Sequence, residues 1–167
     1  GKTAVAWMLI AEKLSENEGN ILLIAPTVAL VNQHLDGCNR FLSLGEIKPL
    51  SITGQNIVNK RTNMWTSSKL IVATPQVVRN DIINGILRIE EYSLIVFDEA
   101  HHCTGEHAMA QVGRLYNSKK QDALILGMTA SPGSNISQVE EICRNLKLER
   151  IHLKTPEDPM ISEYLSN

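Results

Sequence analysis

Aromatic residues and cysteines are scarce in this sequence, and long apolar runs are missing. Phe, Trp and Tyr together make up 4% of the 167 residues, so a folded core has to be built from aliphatic side chains. The three cysteines, Cys38, Cys103 and Cys143, are far apart and odd in number, which excludes a disulfide framework and is typical of a reducing compartment. With no signal peptide and no run of membrane-spanning length, we expect an intracellular protein without membrane contact, cytoplasmic in a prokaryote and nuclear in a eukaryote.

Charge is nearly balanced, with 16 basic and 18 acidic residues and a net charge of −2. This balance excludes the general positive surface potential of proteins that bind nucleic acid nonspecifically over a whole face. Contact with nucleic acid would therefore be local and would use backbone amides and hydroxyl groups.

Residues 94–101, LIVFDEAH, are the most informative stretch. The apolar run 94–97 is typical of a strand buried on both faces inside a parallel sheet, and it stops at two carboxylates, Asp98 and Glu99. Neighbouring acids at the end of such a strand suit a divalent cation and a polarised water. The same acids could instead begin a helix and complement its dipole, and the pair alone does not decide between these interpretations.

Apolar runs alternate with helical patterns along the whole chain. Strands are predicted at 21–25, 50–53, 70–73, 94–97, 123–126 and 151–153; helices are predicted from the start to Gly19, over 28–42, around 57–65, from 77, over 105–117 and over 136–146. This rhythm predicts an α/β domain with a parallel sheet. Right-handed crossovers place the carboxyl ends of all its strands on one edge, where turn-forming and polar residues should collect.

Gly1, Lys2 and Thr3 open the chain at the start of a helical pattern. GKT at a helix start is the end of a P-loop, in which Lys reaches the β- and γ-phosphates and Thr binds Mg²⁺. The glycines that precede these residues in a P-loop are lacking, as is an initiator methionine. We therefore expect residues 1–167 to be one domain of a longer protein, incomplete at its N-terminus.

Taken in order, these motifs resemble the first RecA-like domain of superfamily 2 DEAH-box helicases. The matching segments are GKT at 1–3, APTVALVNQH at 25–34, TG at 53–54, ATPQ at 73–76, VFDEAH at 96–101 and TASPG at 129–133. Within that superfamily, ITGQ, LIVATPQVVRNDI, SLIVFDEAHH and GMTASPGS are similar to the archaeal Hef and FANCM group of fork-processing helicases. The Dicer and RIG-I-like duplex-RNA ATPases share TASPG, and the family commonly has Arg where this chain has His102.

The resemblance implies an ATP site that uses Mg²⁺. Gly1 and Lys2 would bind the nucleotide, and Thr3 and Asp98 would hold the metal ion. Glu99 would orient and deprotonate the attacking water, although an acid at this position could also simply cap a helix.

The resemblance also implies coupling and nucleic-acid-binding residues. His101 would couple the nucleotide site to Thr129 and Ser131, whose hydroxyls could alternatively cap the following turn. The residues that correspond to positions gripping the backbone of one nucleic acid strand are Pro26, Thr27, Gly54, Thr74 and Gln76.

Several other residues allow more than one interpretation. Gln33 and His34 are predicted to be packing or helix-surface residues. Trp65 could stack on a base, but its spacing from Ile57 and Arg61 favours a partly buried helix position. A zinc site formed by His101, His102, Cys103 and His107 is disfavoured, because their spacing matches no standard zinc pattern.

The sequence thus predicts an ATP-dependent DNA helicase or translocase domain that acts on forked or branched DNA together with a second RecA-like domain. We expect these 167 residues alone to hydrolyse ATP weakly or not at all. The alternatives are a duplex-RNA ATPase of the Dicer or RIG-I type and a non-catalytic nucleic-acid-binding module. Intact Lys2, Thr3, Asp98 and Glu99 argue against the latter, since a silent site has no chemical reason to keep all four.

Overall fold

Six strands form one parallel sheet in the order β2-β3-β1-β4-β5-β6. The structure is a computed structural model that describes residues 4–16, 19–103, 105–119, 123–129 and 150–153. The strands are β1 (Asn20–Ile24), β2 (Leu50–Ile52), β3 (Leu70–Ala73), β4 (Tyr92–Asp98), β5 (Leu124–Thr129) and β6 (Arg150–Leu153). The helices are α1 (Ala4–Glu16), α2 (Val28–Phe41), α3 (Val58–Met64), α4 (Pro75–Ile83) and α5 (Ala108–Ser118), with 3₁₀ turns at Ile89–Glu91 and Ala100–His102. The predicted α/β parallel-sheet class is confirmed.

The central strands are apolar throughout because helices cover both faces of the sheet. In β4, Leu94, Ile95, Val96 and Phe97 are all at most 1% exposed, as the sequence predicted for a strand buried on both sides. One core cluster contains strand residues together with residues of α4, α5 and the end of α3. Its strand members include Leu22, Ile24, Ile71, Ile95 and Phe97, and its helix members include Trp65, Val78, Ile82, Met109 and Val112. The other joins Ile21, Leu23, Val72, Leu94 and Val96 to Ala6, Ile10, Val31 and Cys38 from α1 and α2. Alternate residues of each strand thus belong to opposite layers.

Strand register brings the carboxyl ends of four adjacent strands to one level. Ala73 of β3 lies beside Ile52 of β2 on one side and Ile24 of β1 on the other, and Ile24 in turn lies beside Phe97 of β4. The residues that follow these positions therefore emerge side by side along one edge. This is the arrangement that the alternation of strands and helices predicted.

Several element boundaries differ from the predicted ones by a few residues, and three of these differences have an identifiable cause. β5 extends to Thr129 rather than ending at 126, since its pairing with β4 continues through Asp98 and Met128. The helix predicted from 105 begins only at Ala108, because the imidazole of His107 caps its first turn by accepting a hydrogen bond from the Met109 amide at 3.1 Å. β2 ends at Ile52, because the amide of the next residue, Thr53, donates its hydrogen bond to the Asn56 side chain.

Some predicted features lie outside the described residues. They are the P-loop residues Gly1, Lys2 and Thr3, the motif residue Ser131 and the helix at 136–146. Among the residues that the structure describes, no helix combines the length and the apolar character that crossing a bilayer needs.

Gly37 in α2 provides a test of how closely α1 and α2 pack. A Cβ at this position would lie 2.6 Å from Cζ2 of Trp7 in α1. We expect Gly37→Ala to lower the free energy of unfolding by about 1 kcal/mol, because overpacking outweighs the gain in helix propensity. Urea unfolding checks this against Gly54→Ala, whose Cβ would meet no atom within 4 Å and should change stability by less than about 0.5 kcal/mol. A stabilising effect of Gly37→Ala would contradict the close approach.

Candidate active site and nucleic-acid interface

Asp98 is the last residue of β4 and is held in a defined orientation although it is only 2% exposed. Its Oδ1 accepts a hydrogen bond from the Glu99 amide at 2.9 Å. Its Oδ2 lies 2.7 Å from Nε2 of His34, which is 7% exposed. A buried carboxylate requires such partners, since an unpaired one would be strongly disfavoured.

The contact with His34 is the main feature of the site that sequence reasoning missed. His34 was predicted to pack or to lie on the helix surface; it is buried, as packing requires, but its polar end is bonded to the candidate metal ligand Asp98. A signal existed in the sequence. His34 shares the buried side of α2 with Val31 and Cys38, and a polar group on a buried side must find a partner.

Glu99 has an unusual backbone conformation, with φ 57° and ψ 48°. It is the one residue other than glycine with positive φ in the described part of the chain. This conformation carries a steric cost for any residue with a Cβ, and such costs often occur at functional sites. The chain turns sharply here, directly after β4, and the Glu99 side chain is 26% exposed.

A comparison of two variants measures the strain at Glu99. Both Glu99→Gly and Glu99→Ala remove the carboxylate, but only glycine adopts this backbone conformation without a penalty. We expect Glu99→Gly to be more stable than Glu99→Ala, with a free energy of unfolding higher by about 1 kcal/mol. Chemical denaturation of both variants decides the point, and equal stabilities would mean that the turn is relaxed.

His101 lies next to Glu99 in the 3₁₀ turn that follows β4. Its Nδ1 is 3.7 Å from Glu99 Oε2, a charge contact rather than a hydrogen bond. The turn packs against β5, the strand that ends at Thr129. The side chain of Thr129 and all of Ser131 lie outside the described residues, so the coupling role of these three residues stays a prediction.

The histidines after Asp98 form a stack and not a zinc site. The ring centroids of His102 and His107 are 4.6 Å apart and their planes are 12° from parallel, so their nitrogen lone pairs do not converge. Burial, together with the neighbouring His101, lowers the pKa of both imidazoles. Burial also raises the pKa of the Cys103 thiol, which opposes the thiolate form that binds zinc. In the part of the chain that the structure describes, no group of three or more His, Cys, Asp or Glu side chains could hold a metal ion.

Thr27 and Thr74 lie at the ends of neighbouring strands, each at the N-terminus of the next helix. The Thr27 hydroxyl oxygen caps α2 by accepting from the Leu30 amide at 3.1 Å. Thr74 is 6% exposed and makes no capping bond with its side chain. Pro26 is half-buried and Gln76 is exposed on the first turn of α4. The structure therefore brings these candidate backbone contacts to the same edge of the sheet as Asp98.

The loop containing Gly54 is fixed by a buried polar network. Asn56 Oδ1 accepts from the Thr53 amide at 2.9 Å, and the Asn56 carbonyl accepts from Arg61 Nη1 at 2.7 Å. Arg61 in turn forms a two-pronged ion pair with Asp81 of α4. Gly54 itself is exposed, so this network presents it at the surface.

The same network corrects the prediction for Trp65. This residue is not partly buried but 2% exposed, and its Nε1 donates to Asp81 Oδ2 at 2.8 Å. Base stacking by Trp65 is excluded because the ring is enclosed in the core.

The residues around Asp98 fit Mg²⁺. This ion prefers hard oxygen ligands and is commonly held by one or two carboxylates together with substrate phosphates. Asp98 supplies a buried carboxylate whose orientation is fixed by hydrogen bonds, as is usual for a metal-binding carboxylate.

The sequence profile of one family, described as DEAD/DEAH box helicase, matches residues 1–139. The chain belongs to this family. The match covers both the acid-tipped strand and the strand ends that carry the candidate nucleic-acid contacts, and it confirms the family predicted from the motifs.

Named relatives align over most of the chain. A protein from Methanocaldococcus jannaschii with the provisional name of an ATP-dependent RNA helicase is 41% identical over 99% of this chain, which spans 21% of that protein. An ATP-dependent DNA helicase from Vanderwaltozyma polyspora is 33% identical over 99% of this chain and 16% of its own length. The Fanconi anemia group M protein of Gallus gallus is 32% identical over 87% of this chain and 7% of its own length.

The crystal structure of the Pyrococcus furiosus Hef helicase domain superimposes with a TM-score of 0.85 at 38% identity. The superposition covers 95% of this chain and 34% of the Hef chain. It confirms the predicted RecA-like helicase fold and the predicted likeness to the Hef group. This chain thus corresponds to a part of considerably longer helicases.

Proposed function

We propose that residues 1–167 are the first RecA-like domain of an ATP-dependent DNA helicase or translocase that acts on forked or branched DNA. The observation that carries this proposal is the placement of Asp98 and Glu99 at the edge where the candidate nucleic-acid contacts also emerge. A conformational change at the ATP site can then be transmitted to the nucleic-acid contacts through the sheet that carries both. The small net charge agrees with contacts confined to this edge.

The proposed chemistry is attack of water on the γ-phosphorus of ATP, releasing ADP and phosphate. Gly1 and Lys2 bind the phosphates, and Thr3 and Asp98 hold Mg²⁺. When bound, the metal ion neutralises charge on the phosphates. Glu99 accepts the proton of the attacking water; it directly follows Asp98, and its side chain is partly exposed.

Coupling is assigned to three residues beside this centre. His101 lies in the turn that packs on β5, Thr129 is the last residue of that strand, and Ser131 comes two residues later in the sequence. A change at the phosphates would pass through Glu99 and His101 to these hydroxyls, and from there to a second RecA-like domain in the longer protein.

The proposed nucleic-acid contacts are Pro26, Thr27, Gly54, Thr74 and Gln76. They offer backbone amides, hydroxyls and one amide side chain, which bind phosphate and sugar without reading base sequence. DNA is favoured over RNA because the relatives from Vanderwaltozyma polyspora and Schizosaccharomyces pombe are named DNA helicases. A duplex-RNA ATPase is the second candidate, supported by the name of the Methanocaldococcus relative.

The test is nucleic-acid-stimulated ATPase activity of the full-length protein. Rates are measured with no nucleic acid, with forked DNA, with linear duplex DNA and with duplex RNA of matched length. Greater stimulation by the fork than by the linear duplex supports the proposal. Stimulation by RNA alone would make the protein a duplex-RNA ATPase. Binding of nucleic acid without any ATP hydrolysis would make it a non-catalytic nucleic-acid-binding module.

A further inference from the structure

His34 lies where three parts of the candidate motor meet. His34 is part of α2, the helix capped by Thr27, and its Nε2 contacts Asp98 at the end of β4. The indole of Trp7, from α1, approaches the imidazole edge-on with ring centroids 6.3 Å apart. The imidazole is therefore enclosed between the helix that follows the P-loop residues and the strand that carries the acids.

The hydrogen bond to Asp98 has a defined direction. An ionised carboxylate can only accept, so Nε2 carries the proton and donates it to Oδ2. Since Oδ1 accepts from the Glu99 amide, both carboxylate oxygens accept a hydrogen bond.

Helix α2 makes His34 a rigid support. The helix is capped by Thr27, and Val31 and Cys38, on the same side as His34, are completely buried against the sheet. A side chain on such an element cannot follow Asp98 if that residue rotates, so the hydrogen bond restrains the carboxylate. Hydrogen-bonding partners of this kind typically change metal affinity or activity by about 10- to 100-fold.

We propose that His34 is a positioning residue that holds the Asp98 carboxylate in the orientation required for binding the Mg²⁺–nucleotide complex. This inference rests on the proposed nucleotide site and adds to it a residue outside the P-loop and DEAH segments. In this role His34 acts through its hydrogen bond to Asp98.

The test uses equilibrium binding, which does not depend on turnover. Fluorescent ADP is titrated onto the full-length protein at increasing Mg²⁺ concentrations, for wild type, His34→Leu, His34→Gln and Gln33→Leu. For His34→Leu we expect the Mg²⁺ concentration at half-maximal enhancement to rise about 10- to 100-fold, while binding without Mg²⁺ stays unchanged. Gln33 is exposed on the same helix, so Gln33→Leu should match wild type.

The conservative variant distinguishes positioning from packing. Glutamine places its amide nitrogen at about the reach of Nε2, so His34→Gln should restore the Mg²⁺ dependence to within a few-fold of wild type. Asparagine reaches only as far as Nδ1, so His34→Asn should behave like His34→Leu. If His34→Leu does not fold, the Gln and Asn variants decide alone. Equal Mg²⁺ dependence of all folded variants would overturn the proposal.

Failure of this inference is separable from failure of the proposed function. If wild-type protein shows no nucleic-acid-stimulated ATPase activity, the motor proposal fails, while the Mg²⁺ titration of ADP binding still reports on His34. If wild type is an active ATPase and the variants bind Mg²⁺–ADP normally, only the positioning role fails.

Discussion

Glu99→Gln should reduce ATP turnover by the full-length protein by about 10²- to 10⁴-fold, the usual contribution of a general base. Glutamine keeps the size of the side chain and can still orient a water, but it cannot accept its proton. Glutamate and glutamine have the same steric cost in the left-handed backbone conformation at this position, so the substitution should not affect the fold. Steady-state phosphate release in the presence of forked DNA is the measurement.

A nucleotide-binding measurement distinguishes loss of the general base from damage to the nucleotide-binding site. We expect Glu99→Gln to bind ATP and Mg²⁺ as tightly as wild type, since Asp98 and its hydrogen bonds to His34 and the residue-99 amide remain. Glu90→Gln is the matched control, because Glu90 lies just before β4, at the opposite end of that strand from Asp98 and Glu99. Turnover by Glu99→Gln within tenfold of wild type would mean that another group takes the proton.

The sequence predicted the strands well because their apolar runs are unambiguous. Residues 70–73 were predicted exactly as β3, and 94–97 form the centre of β4. Parallel strands joined by helices then have little topological freedom, so the collection of their ends at one edge could be expected as well. The boundaries at Ile52 and Ala108 depended on single side-chain hydrogen bonds, which spacing does not reveal.

Contacts between distant segments could not be predicted. Spacing places His34 on the buried side of a helix, but the partner of its ring is 64 residues away, on strand β4. Arg61 and Asp81 are likewise on different helices, and neither sequence neighbourhood identifies the other residue. The left-handed conformation of Glu99 has no local signal either, because glutamate is not a residue that favours it. Sequence patterns thus give the side on which a residue lies, and the tertiary fold gives its partner.

Asp81→Ala should lower the free energy of unfolding by about 3–5 kcal/mol, the cost of leaving a buried charge without its partner. Asp81 is completely buried and accepts from Arg61 Nε at 2.7 Å, from Arg61 Nη2 at 2.9 Å and from Trp65 Nε1 at 2.8 Å. An arginine guanidinium is charged at every accessible pH, and the hydrogen bonds to Asp81 raise the pKa of Arg61 further. The expected decrease in Tm is roughly 10 °C, measured by calorimetry.

Two further variants show whether the charge or the packing causes the loss. Asp36→Ala makes the same change at an exposed position of α2 and should alter stability by less than about 0.5 kcal/mol. Arg61→Met combined with Asp81→Leu removes both charges and should destabilise less than Asp81→Ala alone, because no buried charge remains unpaired. If the double variant were the less stable of the two, the network would be stabilising through its hydrogen bonds to Asn56 and Trp65 rather than through compensation of charge. The Gly54 loop would then depend on Arg61 itself, and DNA affinity would fall in the double variant.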